Sequence, residues 1–160
     1  MNKMFFNCCN LTDLNLSSFN AKNITDISEM FFKCSKLTSL DLSSFDTKNV
    51  INMNNMFYEC KNLISLDLSS FDTQNVTDLS SMFYDCHNLE SLNLSNFDTK
   101  KVNNMSWMFF NCKNLISLDL SSFDTENVIN IYGIFKDCQK ILDANFKVFK
   151  NFDIYDLLGE

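Results

Sequence analysis

Apolar and polar positions follow a fixed pattern that returns along the chain. In residues 63–69, Leu66 and Leu68 alternate with Ser and Asp, and this alternation predicts a half-buried β-strand. The next apolar positions are Val76, Leu79, Met82, Phe83 and Cys86. Their spacing is typical of one helix face and predicts a short helix of about two to three turns, partly 3₁₀. Asp72 and Thr73 stand before it as candidate N-caps.

The pattern has a period of 26 residues. Five full units run without insertion or deletion over 11–36, 37–62, 63–88, 89–114 and 115–140. Each unit begins with the Leu-x-x-Leu-x-Leu spacing of a leucine-rich repeat. After the last unit, Ile141 stands where the first Leu of a further unit would be. One unit cannot bury its own apolar face, so neighbouring units must stack. We therefore predict an α/β repeat solenoid, a right-handed stack of strand plus short helix units with a parallel sheet on one face.

The two ends of the repeat region differ from its middle. Residues 1–10 match the second half of a unit, because Met4 to Cys8 align with Met30 to Cys34. A solenoid that begins within a unit lacks an end cap, which fits a fragment, a truncated product or end-to-end self-association through the first unit. Residues 141–160 leave the repeat pattern and carry scattered Phe, Tyr and Leu. We predict a solenoid over 1–140 and a C-terminal cap over 141–160.

The motif LxSLDLSSFDTxNVxxMxxMFxxC, seen most cleanly at 37–60 and 63–86, resembles the BspA-like leucine-rich repeat surface proteins, especially the variant of mycoplasma-type lipoproteins. The resemblance covers about residues 4–140. It implies a curved solenoid at the cell surface or secreted, with a role in adhesion or partner binding and with no catalytic residues. The chain carries no recognisable signal segment, so a cytoplasmic location is the alternative.

The composition indicates which residues form the turns and which partners are disfavoured. The chain has no Pro and two Gly, so Asn, Asp, Ser and Thr must form its turns. The net charge is −7 and all 13 basic residues are Lys, which argues against nucleic acid as a partner. No apolar run reaches the roughly 20 residues that span a bilayer.

Polar positions between the inward Leu residues form the candidate binding surface. We call it the strand face, and its predicted contact residues are Asp13, Asn15, Ser39, Asp41, Ser65, Asp67, Ser91, Asn93, Ser117 and Asp119. This hydroxyl-rich, mildly acidic surface could hold a protein or glycan ligand, or it could be a plain solvated sheet face. A flat ladder does not wrap around a calcium ion, so we expect no metal site and no cofactor.

Three other residue types raise alternatives. Trp107 and Tyr132 replace small polar residues and are candidate aromatic contacts, although isolated surface aromatics are common. The Cys column with a spacing of 26 is compatible with inter-unit disulfides, but its simpler interpretation is a row of small buried apolar side chains. His87, beside Cys86, is expected to be a solvated turn residue rather than half of a nucleophilic pair.

Three functional hypotheses follow. The first is a non-catalytic module for protein binding or adhesion, and the second is an intracellular protein-interaction scaffold. The third is an enzyme, which the sequence disfavours because uniform repeats leave no position with its own acid, base and nucleophile.

Overall fold

Successive units stack in register in the computed structural model, which describes residues 1–19, 22–141 and 146–160. Two short strands, β1 (Ser65–Asp67) and β2 (Ser91–Asn93), pair in parallel with an offset of 26 residues. A 3₁₀ helix (Phe146–Val148) and one α-helix, α1 (Ile154–Leu158), follow near the C-terminus. We call each 26-residue turn of the stack a rung.

A second line of parallel pairing joins the rungs along the segment that follows each strand. Isolated bridges connect residues 26, 52, 78, 104 and 130, each 26 residues from the next. The two lines of pairing confirm a solenoid with a parallel sheet. Within the described residues that sheet is limited to β1 and β2, and the handedness of the stack stays a prediction.

The predicted helix after each strand is not formed. Residues 76–86 contain turns and one bridge instead. Ser81 and Asp85 have left-handed φ angles of 53° and 61°, which an α-helix does not accommodate. The Phe83 N–H donates to the Met108 carbonyl of the next rung at 2.9 Å, so it does not close a helical turn. The predicted inward set is nevertheless confirmed, since all five of its apolar side chains are buried.

Phenylalanines form the axis of the core. Phe5, Phe31, Phe57, Phe83, Phe109 and Phe135 stack with centroid distances of 5.4–5.6 Å. Phe83 is fully buried between two of these rings. Truncation of such a side chain to Ala typically costs about 3–5 kcal/mol.

The Cys column also belongs to the core. All seven cysteines are free, and Cys60, Cys86 and Cys112 are buried. The Cys86 thiol donates to the Phe57 carbonyl at 3.1 Å, and the same bond recurs from Cys34 to Cys138. The structure thus shows small buried side chains that bond to the neighbouring rung, and no disulfide.

The C-terminal segment covers the last rung. The Gly133 and Phe135 N–H groups donate to the carbonyls of Asp156 and Leu157 at 2.8 and 3.0 Å, where a further rung would otherwise accept. Asp153 caps α1 through a reciprocal bond with Asp156. Residues 142–145 of the predicted cap lie outside the described residues.

Candidate binding surface

The ten predicted contact residues of the strand face are all exposed. They project from five segments of the rungs, 11–17, 37–43, 63–69, 89–95 and 115–121, which we call the strand segments. The Leu residues between them pack into or against the core. In β1 this gives the burial pattern exposed, buried, exposed over Ser65, Leu66 and Asp67. The structure therefore brings the predicted residues together on one surface.

Asp and Asn residues on this face also shape their own backbone. The Ser43 and Ser69 N–H groups donate to the carboxylates of Asp41 and Asp67 at 3.0 and 2.9 Å. Hydrogen bonds from these serines hold the pKa of each carboxyl below its usual value. The same Asx-turn bond is made by Asn15, Asn93 and Asp119. Sequence reasoning missed this role, although Asx followed two residues later by Ser is its usual signature.

Shallow grooves lie between the strand segments of the first three rungs. One groove of about 380 Å³ is lined by Ser39, Asp41, Ser65 and Asp67 with neighbouring serines and leucines. A second groove, of about 290 Å³, contains Asp13, Asn15 and again Asp41. Consecutive grooves thus share a carboxylate and run along the solenoid axis.

Trp107 and Tyr132 lie outside the strand face, in the turn segments of their rungs. Trp107 is partly buried and packs edge-on against Phe110 and Tyr132, with centroids 5.4 and 5.1 Å away. The Tyr132 hydroxyl donates to the Gly159 carbonyl at 3.0 Å. Tyr132 therefore helps to hold the C-terminal segment on the last rung, and Trp107 packs against Tyr132 from the preceding rung.

A row of stacked aromatic rings on the surface escaped the sequence analysis. Phe6, Phe32, Tyr58, Tyr84 and Phe110 stack with centroid distances of 4.4–4.7 Å. We call this row the surface aromatic ladder. The 26-residue register alone would have revealed it, because this column is aromatic in five successive positions.

His87 belongs to an ion-pair network. Its Nε2 atom lies 2.6 Å from an Asp85 carboxylate oxygen, and Lys61 lies 3.3 Å from the other oxygen. Burial acts to raise the pKa of Asp85, but the hydrogen bond from Asn111, the charge of His87 and the hydrogen bonds from Lys61 and His87 outweigh it, so that pKa is lowered. The neighbouring Cys86 thiol points to the Phe57 carbonyl, so His87 and Cys86 do not form a nucleophilic pair.

The described residues contain neither a metal-binding cluster nor a membrane-spanning helix. No group of three or more His, Cys, Asp and Glu side chains there is arranged to hold a metal ion. Among the same residues, no helix has the length and apolar character needed to cross a membrane.

The fold is that of a leucine-rich repeat protein. A leucine-rich cell surface protein from Faecalibacterium prausnitzii A2-165 matches with a TM-score of 0.60 and 20% identity, over 88% of this chain and 34% of that one. The leucine-rich repeat protein of T. pallidum matches with a TM-score of 0.50 and 20% identity, over 72% of this chain and 48% of that one. At this identity the likeness shows the fold alone, and the chain spans less than half of either protein.

Residues 1–90 and 63–156 match the family described as "Mycoplasma protein of unknown function, DUF285", and the chain belongs to that family. No curated protein matches the chain.

Proposed function

We propose that this chain is a non-catalytic binding module that holds a protein or glycan ligand on its strand face at the cell surface. The observation that carries the proposal is the strand face itself, where ten polar side chains from five rungs are exposed in aligned columns. Such a repeated surface offers many weak contacts in one plane, which suits recognition of an extended partner. The resemblance to bacterial surface repeat proteins supports the location and the adhesive role.

A blocking variant tests the binding surface. Ser65→Tyr with Ser91→Tyr would place two bulky rings on the strand face, where both serines are exposed. Asn103→Tyr with Ile129→Tyr is the matched control, because these residues are exposed on another side of the rungs. We expect the purified chain to bind matrix proteins, epithelial cells or arrayed glycans, and only the strand-face variant to lose that binding. Equal binding by both variants would refute the strand-face assignment.

Free cysteines favour a second candidate, the intracellular scaffold. All seven thiols are unpaired, which fits a reducing compartment. Treatment of intact source cells with protease separates the two locations. Loss of the chain while cytosolic controls survive supports the surface module, whereas full protection supports the scaffold. Self-association through residues 1–10 stays a separate prediction, which sedimentation velocity tests.

A further inference from the structure

Charge is segregated around the solenoid. Five carboxylates project from the strand segments, at positions 13, 41, 67, 90 and 119, and all five residues are exposed. None of the 13 lysines lies within these strand segments, 11–17, 37–43, 63–69, 89–95 and 115–121. The lysines instead flank these segments; Lys36, for example, precedes the strand segment of the second rung and Lys48 follows it. The strand segments thus carry one carboxylate in each of five rungs and no lysine, and four of these carboxylates (Asp13, Asp41, Asp67 and Asp119) belong to the strand face.

From this charge pattern we infer that the strand face binds an extended, lysine- and arginine-rich segment of a partner protein, an inference that rests on the proposed function. A basic segment is the complement of a face that carries several carboxylates and no cation. A neutral glycan would leave these charges uncompensated.

Four lysines, Lys3, Lys33, Lys48 and Lys61, form ion pairs with carboxylates outside the strand segments. Among the described residues, ion pairs join lysines to Glu29, Asp46, Glu59 and Asp85. The strand-face carboxylates take no part in these pairs. Asp41, Asp67 and Asp119 accept instead the N–H of a serine in their own rung, which orients each side chain and leaves its charge in place.

The carboxylates of the first three rungs line the two grooves of the strand face. Asp41 lines both grooves, whereas Asp67 lines only the larger one and Asp13 only the smaller one. A partner chain that lies along the axis would therefore meet carboxylates on three successive rungs. The long stems of Lys and Arg can follow such grooves while their charged ends reach the acids.

Asparagine can replace the aspartates of the strand face without loss of their hydrogen bonds. Asn15 and Asn93 already occupy the same column as Asp41 and Asp67, and they accept the same serine N–H bond at 2.9 and 3.1 Å. The triple variant Asp41→Asn, Asp67→Asn and Asp119→Asn is therefore expected to keep the turns and the fold. The matched control is Glu126→Gln, Asp137→Asn and Glu160→Gln, which removes three exposed carboxylates outside the strand segments.

Fluorescence anisotropy with labelled peptides tests the inference. The probes are a peptide of alternating Lys and Ser, its Glu and Ser counterpart, and a labelled neutral oligosaccharide. We expect the intact chain to bind the cationic peptide, and the strand-face triple variant to bind it at least about tenfold more weakly. The control triple variant, which has the same net charge, should stay within about twofold of the intact chain. Thermal midpoints of the three proteins should agree.

Other outcomes would overturn the inference in distinguishable ways. If both triple variants weaken binding equally, only net charge matters and the strand face is not the site. If the oligosaccharide or the anionic peptide binds better than the cationic one, the partner is not basic. If the Ser65→Tyr, Ser91→Tyr variant loses a ligand that the Asp→Asn triple variant still binds, the proposed function survives and the basic partner is wrong. If neither strand-face variant changes any binding, both proposals fail.

Discussion

Threonines next to the strand segments show how single residues join the rungs. The Thr73 hydroxyl donates to the Asp98 carbonyl at 3.0 Å and accepts the Asp98 N–H at 2.8 Å. Thr47 and Thr99 make the same pair of bonds to the rungs that follow them. The residue that sequence analysis assigned to a helix N-cap thus bonds the next rung, because no helix follows it.

Thr73→Val should destabilise the protein by about 1–3 kcal/mol, since valine leaves the N–H and carbonyl of Asp98 without partners in a site where Thr73 is 1% exposed. Thr77→Val is the control, because Ile51 and Ile129 already occupy its column. We expect it to change stability by less than about 0.5 kcal/mol. Urea unfolding of the two variants measures the difference, and equal losses would show that the Thr73 bonds contribute nothing specific.

Gly133 tests a contact between two rungs. A Cβ atom at Gly133 would lie 2.7 Å from two ring atoms of Trp107, so Gly133→Ala should cost about 1–3 kcal/mol through overpacking. The left-handed φ of 65° is a smaller obstacle, because Asn55 and Ser81 adopt similar angles in the same column. Trp107→Ser should remove most of the cost, and a double-mutant cycle by urea unfolding measures the coupling. An unchanged cost of Gly133→Ala in the Trp107→Ser background would contradict the contact.

At the scale of elements, the periodicity predicted which side chains turn inward but not the backbone that carries them. Positions 76, 79, 82, 83 and 86 suit a helix face, yet a chain of tight turns presents the same positions to the core. The difference lies in the left-handed residues of each rung, such as Glu59, Ser81 and Trp107. Residue type was only a partial guide, because Asn and Asp favour this conformation but Glu, Ser and Trp rarely adopt it. Hydrogen bonds to the next rung impose it.

The candidate binding surface was more accessible to sequence reasoning. Alternation around Leu66 and Leu68 predicted which polar residues are exposed, and the structure places them as expected. The grooves could not be predicted, because they depend on where pairing between strand segments stops. Among the described residues only β1 and β2 pair as strands. The sequence does not single out these two segments, because the alternation is the same in every unit.

The surface aromatic ladder should stabilise the turn segments as one element. Tyr84 stacks between Tyr58 and Phe110, with centroids 4.5 and 4.4 Å away. Tyr84→Ala should therefore cost about 1–3 kcal/mol from two ring pairs, and Phe6→Ala, with one stacking partner, about half as much. Tyr84→Phe should be nearly neutral, because Phe occupies this column elsewhere. Thermal unfolding ranks the three variants, and a large loss from Tyr84→Phe would show that the hydroxyl matters more than the stacking.

For the whole molecule, the stacking of similar rungs repeats each contact between neighbouring rungs several times. Every rung contacts only its neighbours, so stability is close to a sum of rung and interface contributions. The Cys column is the clearest case, because five thiols, four of them buried and that of Cys138 partly buried, each donate to a carbonyl 29 residues earlier. The effect of thiol ionisation on the free energy of unfolding, which is small for one cysteine, should therefore add up over the column.

Alkaline pH should unfold the solenoid through these thiols. Burial raises the pKa of Cys34 from 9.0 to about 11 and that of Cys138 to about 12, and it raises those of Cys60, Cys86 and Cys112 as well. Above pH 9 the unfolded chain loses thiol protons that the folded chain keeps, so the free energy of unfolding falls as pH rises. Each fully ionised unfolded thiol contributes about 1.4 kcal/mol per pH unit to that fall.

Urea unfolding between pH 8 and 10.5 in the presence of a phosphine reductant should therefore show a stability that is constant below about pH 9 and then declines steeply. Cys86→Ala with Cys112→Ala is expected to be less stable at pH 8, because two buried side chains are truncated. Its decline with pH should nevertheless be shallower by up to about 3 kcal/mol per pH unit, since two titrating thiols are gone. The two curves should converge as pH rises. Parallel curves would show that lysine and tyrosine titration, and not the buried thiols, sets the alkaline limit of the fold.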